Sequence, residues 1–348
     1  MIRYIYELSP EDLSGTALVR IDLNAADAWR LEASVPTLKF LMGKASKIVI
    51  LSHRGRPVLE RDKEQLSLRG DAELLSAHLG RSVVFVNTRD LAAAKRIVAG
   101  AELHSAFLLE NVRFWDGEEE NDPALAAQFA ALGDYFVNEA FAVSHRANAS
   151  VTGIPRHIPA YGGLGLRQEI QNLGAMMGTV EHPFVVVLGG AKPDTKLPVL
   201  ERFRRNADAI LVGGALANVL MEQTTPVALP LVLPVDFLGD EGKKLDIGPR
   251  SAELFAGHIR NAKTILWNGP MGLIEDERYR GGTETIARAI AANKSAFSIV
   301  GGGETVMAIR NIGLQGSFSF VSTGGGAMLE FLGGATLPGI AALEENRP

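Results

Sequence analysis

Short apolar, β-branched runs alternate along the whole chain with longer segments of helical periodicity, a pattern that predicts α/β layers built on parallel sheets. In the first half the strand candidates are 17–23, 47–52, 82–86, 106–110 and 134–138. In the second half they are 184–188, 209–212, 232–237, 264–267, 297–300 and 318–322. Between them lie helical candidates at 35–44, 71–79, 123–132, 197–206, 251–261, 283–293 and 305–312. The stretch 165–177 has no strand character and sits where the two series meet, so it is expected to be a helix joining two domains.

In open parallel sheets ligands bind at the carboxyl ends of the strands, so the residues each strand runs into matter most. First-half strands end in Arg20-Ile-Asp-Leu-Asn24, Ser52-His-Arg-Gly-Arg-Pro57 and Glu110-Asn-Val-Arg-Phe114, with Ser144-His-Arg-Ala-Asn148 a little later. Arginine or histidine stands at nearly every one. Second-half strands end in Gly189-Gly-Ala-Lys192, Gly213-Gly-Ala215, Asn268-Gly-Pro-Met-Gly272, Gly301-Gly-Gly-Glu-Thr305 and Ser322-Thr-Gly-Gly-Gly326, where glycine dominates. Converging guanidinium groups suit a small carboxylate or phosphate, because their planar forks bind such groups bidentately. Glycine loops at helix N-termini instead let backbone N–H groups approach a polyphosphate closely. One half reads as an anion holder and the other as a nucleotide holder.

Each feature alone has a plainer explanation. An arginine after a strand is more often a solvated or salt-bridged surface residue, and a Gly-Gly turn is common punctuation. Segregation by half is what favours the ligand reading. In Gly189-Gly-Ala-Lys-Pro-Asp-Thr-Lys196, a helix starting near Pro193 would let Lys192 and Lys196 both reach the space above the loop. No G-x-x-x-x-G-K-[ST], no G-x-G-x-x-G between strand and helix and no protein-kinase signature set is present.

Composition narrows the classes. The 348 residues suffice for two domains, and 47% hydrophobic with 22% charged residues is an ordinary globular balance. The absence of cysteine excludes disulfides, thiolate metal sites and cysteine nucleophiles. A net charge of −5 argues against general nucleic-acid binding. No apolar run is long enough to span a bilayer and the start has no secretory pattern, so a cytoplasmic protein is expected, with no membrane partner.

Taken in order, Arg20-Ile-Asp-Leu-Asn24, Pro36-Thr37, Ser52-His-Arg-Gly-Arg-Pro57, Leu109-Glu-Asn-Val-Arg-Phe114, Val137-Asn-Glu-Ala-Phe141, His145-Arg-Ala147, Gly189-Gly-Ala-Lys192, Trp267-Asn-Gly-Pro-Met-Gly272, Gly301-Gly-Gly303, Ser322-Thr-Gly-Gly-Gly-Ala327 and Leu337-Pro-Gly339 resemble phosphoglycerate kinases over nearly the whole chain. The resemblance implies two doubly wound parallel-sheet domains joined by a helix and hinge, with the active site in the cleft between them. Their expected bounds are 1–162 for a phosphoglycerate-binding domain, 163–179 for the connecting helix and 180–331 for a nucleotide domain, with 332–348 packing back on the first. The implied reaction passes a phosphoryl group between ATP and 3-phosphoglycerate, with ATP/ADP and Mg2+ as cofactors and a monomer as the working state. A catalytically weak scaffold, or a kinase of another small carboxylate, is the alternative.

By position, the resemblance implies a phosphoglycerate set of Asp22, Asn24, Arg30, His53, Arg54, Gly55, Arg56, Arg113 and Arg146. The implied nucleotide set is Lys192, Lys196, Gly213, Gly214, Asn268, Glu275, Gly302, Gly303, Glu304 and Thr305, with Glu275 on the ribose and Glu304 toward the metal. Arg30, Lys192, Lys196, Gly303 and Gly325 are the implied catalytic residues. The chain departs from the family in the short run from Ala25 to Trp29 before Arg30, in Glu304 for the usual aspartate, and in Glu139 and Ala142 for aspartate and glycine. It is also short, chiefly between Met221 and Leu245, a region that normally helps wall the base pocket, so weaker base selectivity is expected.

Overall fold

A computed structural model describes residues 1–25, 28–222 and 230–346. In chain order the strands are β1 Thr16–Arg20, β2 Lys47–Leu51, β3 Val83–Val86, β4 Ala106–Leu109, β5 Tyr135–Asn138, β6 Ala160–Gly162, β7 Phe184–Leu188, β8 Ala209–Val212, β9 Leu231–Val232, β10 Phe237–Asp240, β11 Lys243–Ile247, β12 Thr264–Asn268, β13 Phe297–Gly301 and β14 Phe320–Val321. The helices are α1 Trp29–Met42, α2 Asp62–Gln65, α3 Arg69–Leu79, α4 Leu91–Gly100, α5 Pro123–Ala130, α6 Leu164–Met177, α7 Leu197–Phe203, α8 Gly214–Glu222, α9 Pro249–Arg260, α10 Gly281–Ala292, α11 Gly303–Asn311, α12 Gly325–Leu332 and α13 Pro338–Glu345.

The chain divides into two compact units. One takes in Met1–Glu169 and the chain from Thr336 onward, the other Ile170–Ala335, so the division falls inside α6.

The first unit is built on a six-stranded sheet in the order β3-β4-β2-β1-β5-β6, with every pairing parallel. Continuous apolar runs such as Ala106–Leu109 are buried along their whole length, as strands covered on both faces require. The central order leaves the ends of β1, β2, β4 and β5 side by side, and these strands run into the arginine- and histidine-bearing loops. From the other end of the sequence α13 packs on the loop that carries Arg146. There the Gly339 N–H donates to Ser144 O at 2.8 Å, and Asn346 accepts from Ala160 N–H at 2.9 Å.

The second unit has its own six-stranded parallel sheet, β14-β13-β12-β7-β8-β9, and a separate antiparallel hairpin of β10 and β11. Here the expected strand at 232–237 divides. Pro234 has no N–H to give a ladder. Asp236 turns aside to accept from Ser251 N–H at 2.7 Å and Arg250 N–H at 3.1 Å, tying down the first turn of α9.

Helix α6 begins on a buried carboxyl. Glu139, just past β5, accepts the N–H of Gly165 at 2.9 Å and that of Leu166 at 3.4 Å, while Thr37 of α1 accepts the N–H of Leu164 at 2.9 Å. A Cβ at Gly163 or Gly165 would lie 1.9 or 2.3 Å from a Glu139 oxygen, so glycine at both positions makes room for this side chain. Burial pushes Glu139 up to about 8, Thr37 and the helix N–H groups oppose that shift, and Glu169 adds to it. A folded-state value above the unfolded one means the stabilisation is full below about 4.5 and is lost as the pH rises through about 8. At about 1.4 kcal/mol per unit, the loss is on the order of 5 kcal/mol. The expected result is that Glu139→Gln flattens the dependence of stability on pH between 5 and 8.5, read as urea midpoints of variant and parent. Parallel curves would show that Glu139 is ionised throughout.

Candidate active-site residues

In the first unit the chain after β1 folds its polar groups onto its own backbone. Asp22 accepts from Asn24 N–H at 2.8 Å and from Arg30 Nη1 at 2.7 Å, and the same Nη1 also donates to Asn24 O at 2.9 Å. Burial alone would raise Asp22, but Arg30, His53 and the Asn24 N–H outweigh it and hold the carboxyl below its ordinary value. Asn24 Oδ1 accepts from Gly55 N–H at 2.9 Å, joining the loop after β1 to the loop after β2. Gly55 has φ +57, a conformation that L side chains rarely adopt. Asn111, after β4, donates to Arg54 O at 2.7 Å and to Leu66 O at 3.0 Å, so a third strand end braces the same loop.

The guanidinium groups differ in how they are held. Arg113 donates to Gly55 O and lies 3.1 Å from Glu119, and Arg146 lies 3.8 Å from the same Glu119 oxygen. Two arginines thus share one carboxylate. Arg56 is exposed, and it and Arg146 both depress Arg113, after burial and against Glu119. Arg54 is engaged elsewhere: its Nη2 pairs with Asp71 of α3 at 2.6 Å. His53 is 2% exposed. Burial holds it well below its ordinary value, against Asp22 and together with Arg20, Arg113 and Arg146. Arg30 lies over the Trp29 ring, 5.2 Å from its centroid, and its Nε is buried without a partner among the described residues.

In the second unit the glycine loops after β7, β12 and β13 surround a cavity of about 470 Å³. Lys192, Lys196, Asn268, Gly302, Gly303, Glu304, Thr305 and Gly325 line it, whereas Gly213, Gly214 and Glu275 do not. Gly214 works one layer behind: a Cβ there would meet Gly190 N at 2.6 Å, and the Ala215 N–H donates to Gly190 O at 3.1 Å. Glu275 is exposed. The lysines do not share a helix face. Residues Pro193–Thr195 form a single 3-10 turn, and α7 starts only at Leu197. Lys196 is 8% exposed. Burial brings it down to about 8, opposed by Glu304 and helped by Lys192.

The N-cap residues of α11 and α12, Gly302 and Gly324, have no side chain to cap these helices, and the first residues Gly303 and Gly325 line the cavity. That is the arrangement a phosphate chain completes. Pro198 and Leu329, which sequence reasoning did not single out, add apolar wall to the same cavity. Their only signal is adjacency to Lys196 and Gly325. Among the described residues no cluster of three His, Asp or Glu could hold a metal on its own. Glu304 supplies one carboxylate to the cavity. Magnesium is commonly held by one or two carboxylates together with substrate phosphates and waters, so this donor set fits an ion that arrives with a nucleotide.

Two parallel-sheet units, one gathering guanidinium groups and the other offering glycine loops, lysines and uncapped helix ends, define an α/β phosphotransferase. The sequence profile of the family "Phosphoglycerate kinase" matches residues 12–228 and 222–335. A phosphoglycerate kinase of Dictyoglomus turgidum is 36% identical over 393 aligned positions, covering 98% of this chain and 99% of that one. One from Chloroflexus aurantiacus is 38% identical over 384 positions, covering 94% and 96%. The solved phosphoglycerate kinase of Coxiella burnetii superposes with a TM-score of 0.81 at 32% identity over the full length of both chains, and that of Pyrococcus horikoshii with 0.86 at 28% over 99% and 98%. The chain belongs to the phosphoglycerate kinase family. The alignment with the Dictyoglomus relative is longer than this chain, so that relative carries segments absent here. Of the stretch 221–245, where the shortening was expected, residues 223–229 lie outside the described residues. No helix among the described residues is long and apolar enough to cross a membrane.

Proposed function

We propose that this chain transfers the γ-phosphoryl of ATP to the carboxylate of 3-phosphoglycerate, reversibly, giving ADP and 1,3-bisphosphoglycerate. The observation that carries the reading is Glu119, one carboxylate oxygen of which lies 3.1 Å from Arg113 and 3.8 Å from Arg146. Guanidinium groups that share one anion are preset for a phosphorylated acid, whose more highly charged phosphate would take the place of Glu119. Asp22, Asn24, His53, Gly55, Arg56, Arg113 and Arg146 hold the acid in this reading, and Arg30 reaches its carboxylate. Arg54, already paired with Asp71, orients the loop after β2. Lys192, Lys196, Asn268, Thr305 and the N–H groups at Gly302, Gly303 and Gly325 hold the nucleotide phosphates, with Gly213 and Gly214 shaping the floor behind them and Glu275 serving the ribose.

An acid whose carboxylate is already ionised near neutral pH needs no general base. The remaining work is alignment and neutralisation of charge on the moving phosphoryl, to which arginine, lysine and helix N–H groups are suited. Magnesium bound with the nucleotide, and met by Glu304, would supply further positive charge to the phosphates. A cytoplasmic monomer is part of the same proposal.

The test is a coupled assay with 3-phosphoglycerate, MgATP and a reducing dehydrogenase, in which turnover is expected. Folded protein without turnover would favour a scaffold role, and tighter binding of another acid would displace 3-phosphoglycerate. With GTP in place of ATP, only a modest loss is expected from the shortened chain; a strong ATP preference would show that the base pocket is fully walled.

A further inference from the structure

We propose that Arg20 is a positioning residue that fixes His53 as the neutral Nε2–H tautomer, so that the ring serves the acid-binding site as a hydrogen-bond donor and not as a further cation. The role given to His53 rests on the function proposed above; the tautomer does not.

The argument starts from donor inventory. Arg20 Nη2 lies 3.3 Å from His53 Nδ1. A guanidinium has no acceptor, so this contact is a hydrogen bond only when Nδ1 carries the lone pair. The neutral ring then has its hydrogen on Nε2, which has no partner among the described residues. Asp22 does not compete for Nδ1. Its nearer oxygen is 3.8 Å away, beyond hydrogen-bond range, and its two oxygens are taken by the Asn24 N–H and Arg30. Protonating Nδ1 would set N–H against N–H beside a permanent charge.

Arg20 cannot turn away, because it is built in. Its Nε donates to Ser150 Oγ at 2.9 Å and its Nη1 donates to Ile21 O. Ser150 Oγ donates in turn to Glu118 Oε1 at 2.5 Å, and Ser150 N–H donates to Glu118 Oε2 at 2.9 Å. Arg20 is 2% exposed, Glu118 1% and Ser150 0%. This chain of contacts runs from Glu118 to His53 without touching the site's own arginines. The charged groups acting on His53 are Arg20 of β1, Asp22 after β1, Arg113 after β4 and Arg146 beyond β5. Three are cations, so the one anion does not reverse the preference for a neutral ring. A neutral N–H can serve a hydroxyl or a carboxylate without adding to the repulsion among the guanidinium groups.

The direct test is long-range 15N–1H correlation spectroscopy of the full chain from pH 5.5 to 8, with the His53 signals assigned by comparison with His53→Gln. The expected pattern is a protonated Nε2 and an unprotonated Nδ1 throughout, unchanged in kind when 3-phosphoglycerate is added. An Nδ1–H tautomer, or ordinary titration near 6.5, would overturn the proposal. Arg20→Lys, which keeps a donor, should preserve the pattern. Arg20→Met combined with Glu118→Gln removes the donor without stranding a carboxylate. In that variant burial still favours the neutral ring, but Nδ1 has lost its donor, so the Nδ1–H and Nε2–H forms should both be populated, and KM for 3-phosphoglycerate should rise while KM for MgATP does not. A ring that keeps the Nε2–H form alone there would show that Arg20 is not the cause. If the double variant does not fold, the parent spectrum still decides the tautomer. If 3-phosphoglycerate shifts no His53 signal in the parent, the assigned role of the site fails while the tautomer stands.

Discussion

Arg30→Ala is expected to lower turnover by roughly three orders of magnitude or more, the range seen when a cation that stabilises a transferring phosphoryl is removed. The structure holds this guanidinium by one edge: Nη1 bonds to Asp22 and to Asn24 O, while Nε has no partner among the described residues. An arginine fixed on one side with donors left over is set to meet a ligand on the other. Trp29 beneath it limits its rotation at little cost in solvation. Affinity for 3-phosphoglycerate should fall far less than turnover, because Arg113 and Arg146 still hold an anion. Arg30→Lys should recover only part of the loss, since an ammonium keeps charge but not the planar fork. Steady-state kcat beside a calorimetric Kd for the acid separates these effects, and near-normal kcat in the alanine variant would remove Arg30 from the chemistry.

Lys196→Ala is the second large effect, with a different signature. Both turnover and nucleotide affinity should drop by about a hundredfold or more, as for loss of a buried charge-assisted contact to phosphate, with little change in 3-phosphoglycerate affinity. Burial brings Lys196 down to about 8. Phosphates favour the charged form, so nucleotide binding raises this value and draws a proton from solvent when the pH is near or above 8. Titration calorimetry at pH 8 in buffers of different ionisation enthalpy should therefore show proton uptake in the parent, and less in the variant. Equal uptake in both would assign the proton to another group, and a matching loss of acid affinity would mean that the substitution disturbs more than the nucleotide cavity.

Much of the fold was legible because local physics wrote it. The runs at 184–188 and 209–212 were read to the residue, since a fully buried parallel strand is a short, unbroken apolar segment between turn signals. The three-residue β6 was not, being too short for any periodicity, and α12 was hidden because it opens on glycines that read as loop. Of the site, the segregation of arginines and glycines by half was visible residue by residue. The different standing of Arg54 and Arg113 was not. Both follow strands in the sequence, yet one meets Asp71 and the other shares Glu119 with Arg146.

Sequence by itself determined the alternation of strands and helices, the chemistry available at each strand end and the family, because these depend on neighbours along the chain or on the order of short motifs. Tertiary structure alone decided which of those groups are free, which are neutralised and which proton each one holds. Glu139 carries a raised value because α1 and α6 bury it, Lys196 a lowered one because a cavity closes around it, and His53 meets Arg20 from a strand 33 residues away. Desolvation and Coulomb interaction act through space, so the same residue types at the same spacing acquire their charge states only once distant segments are packed together.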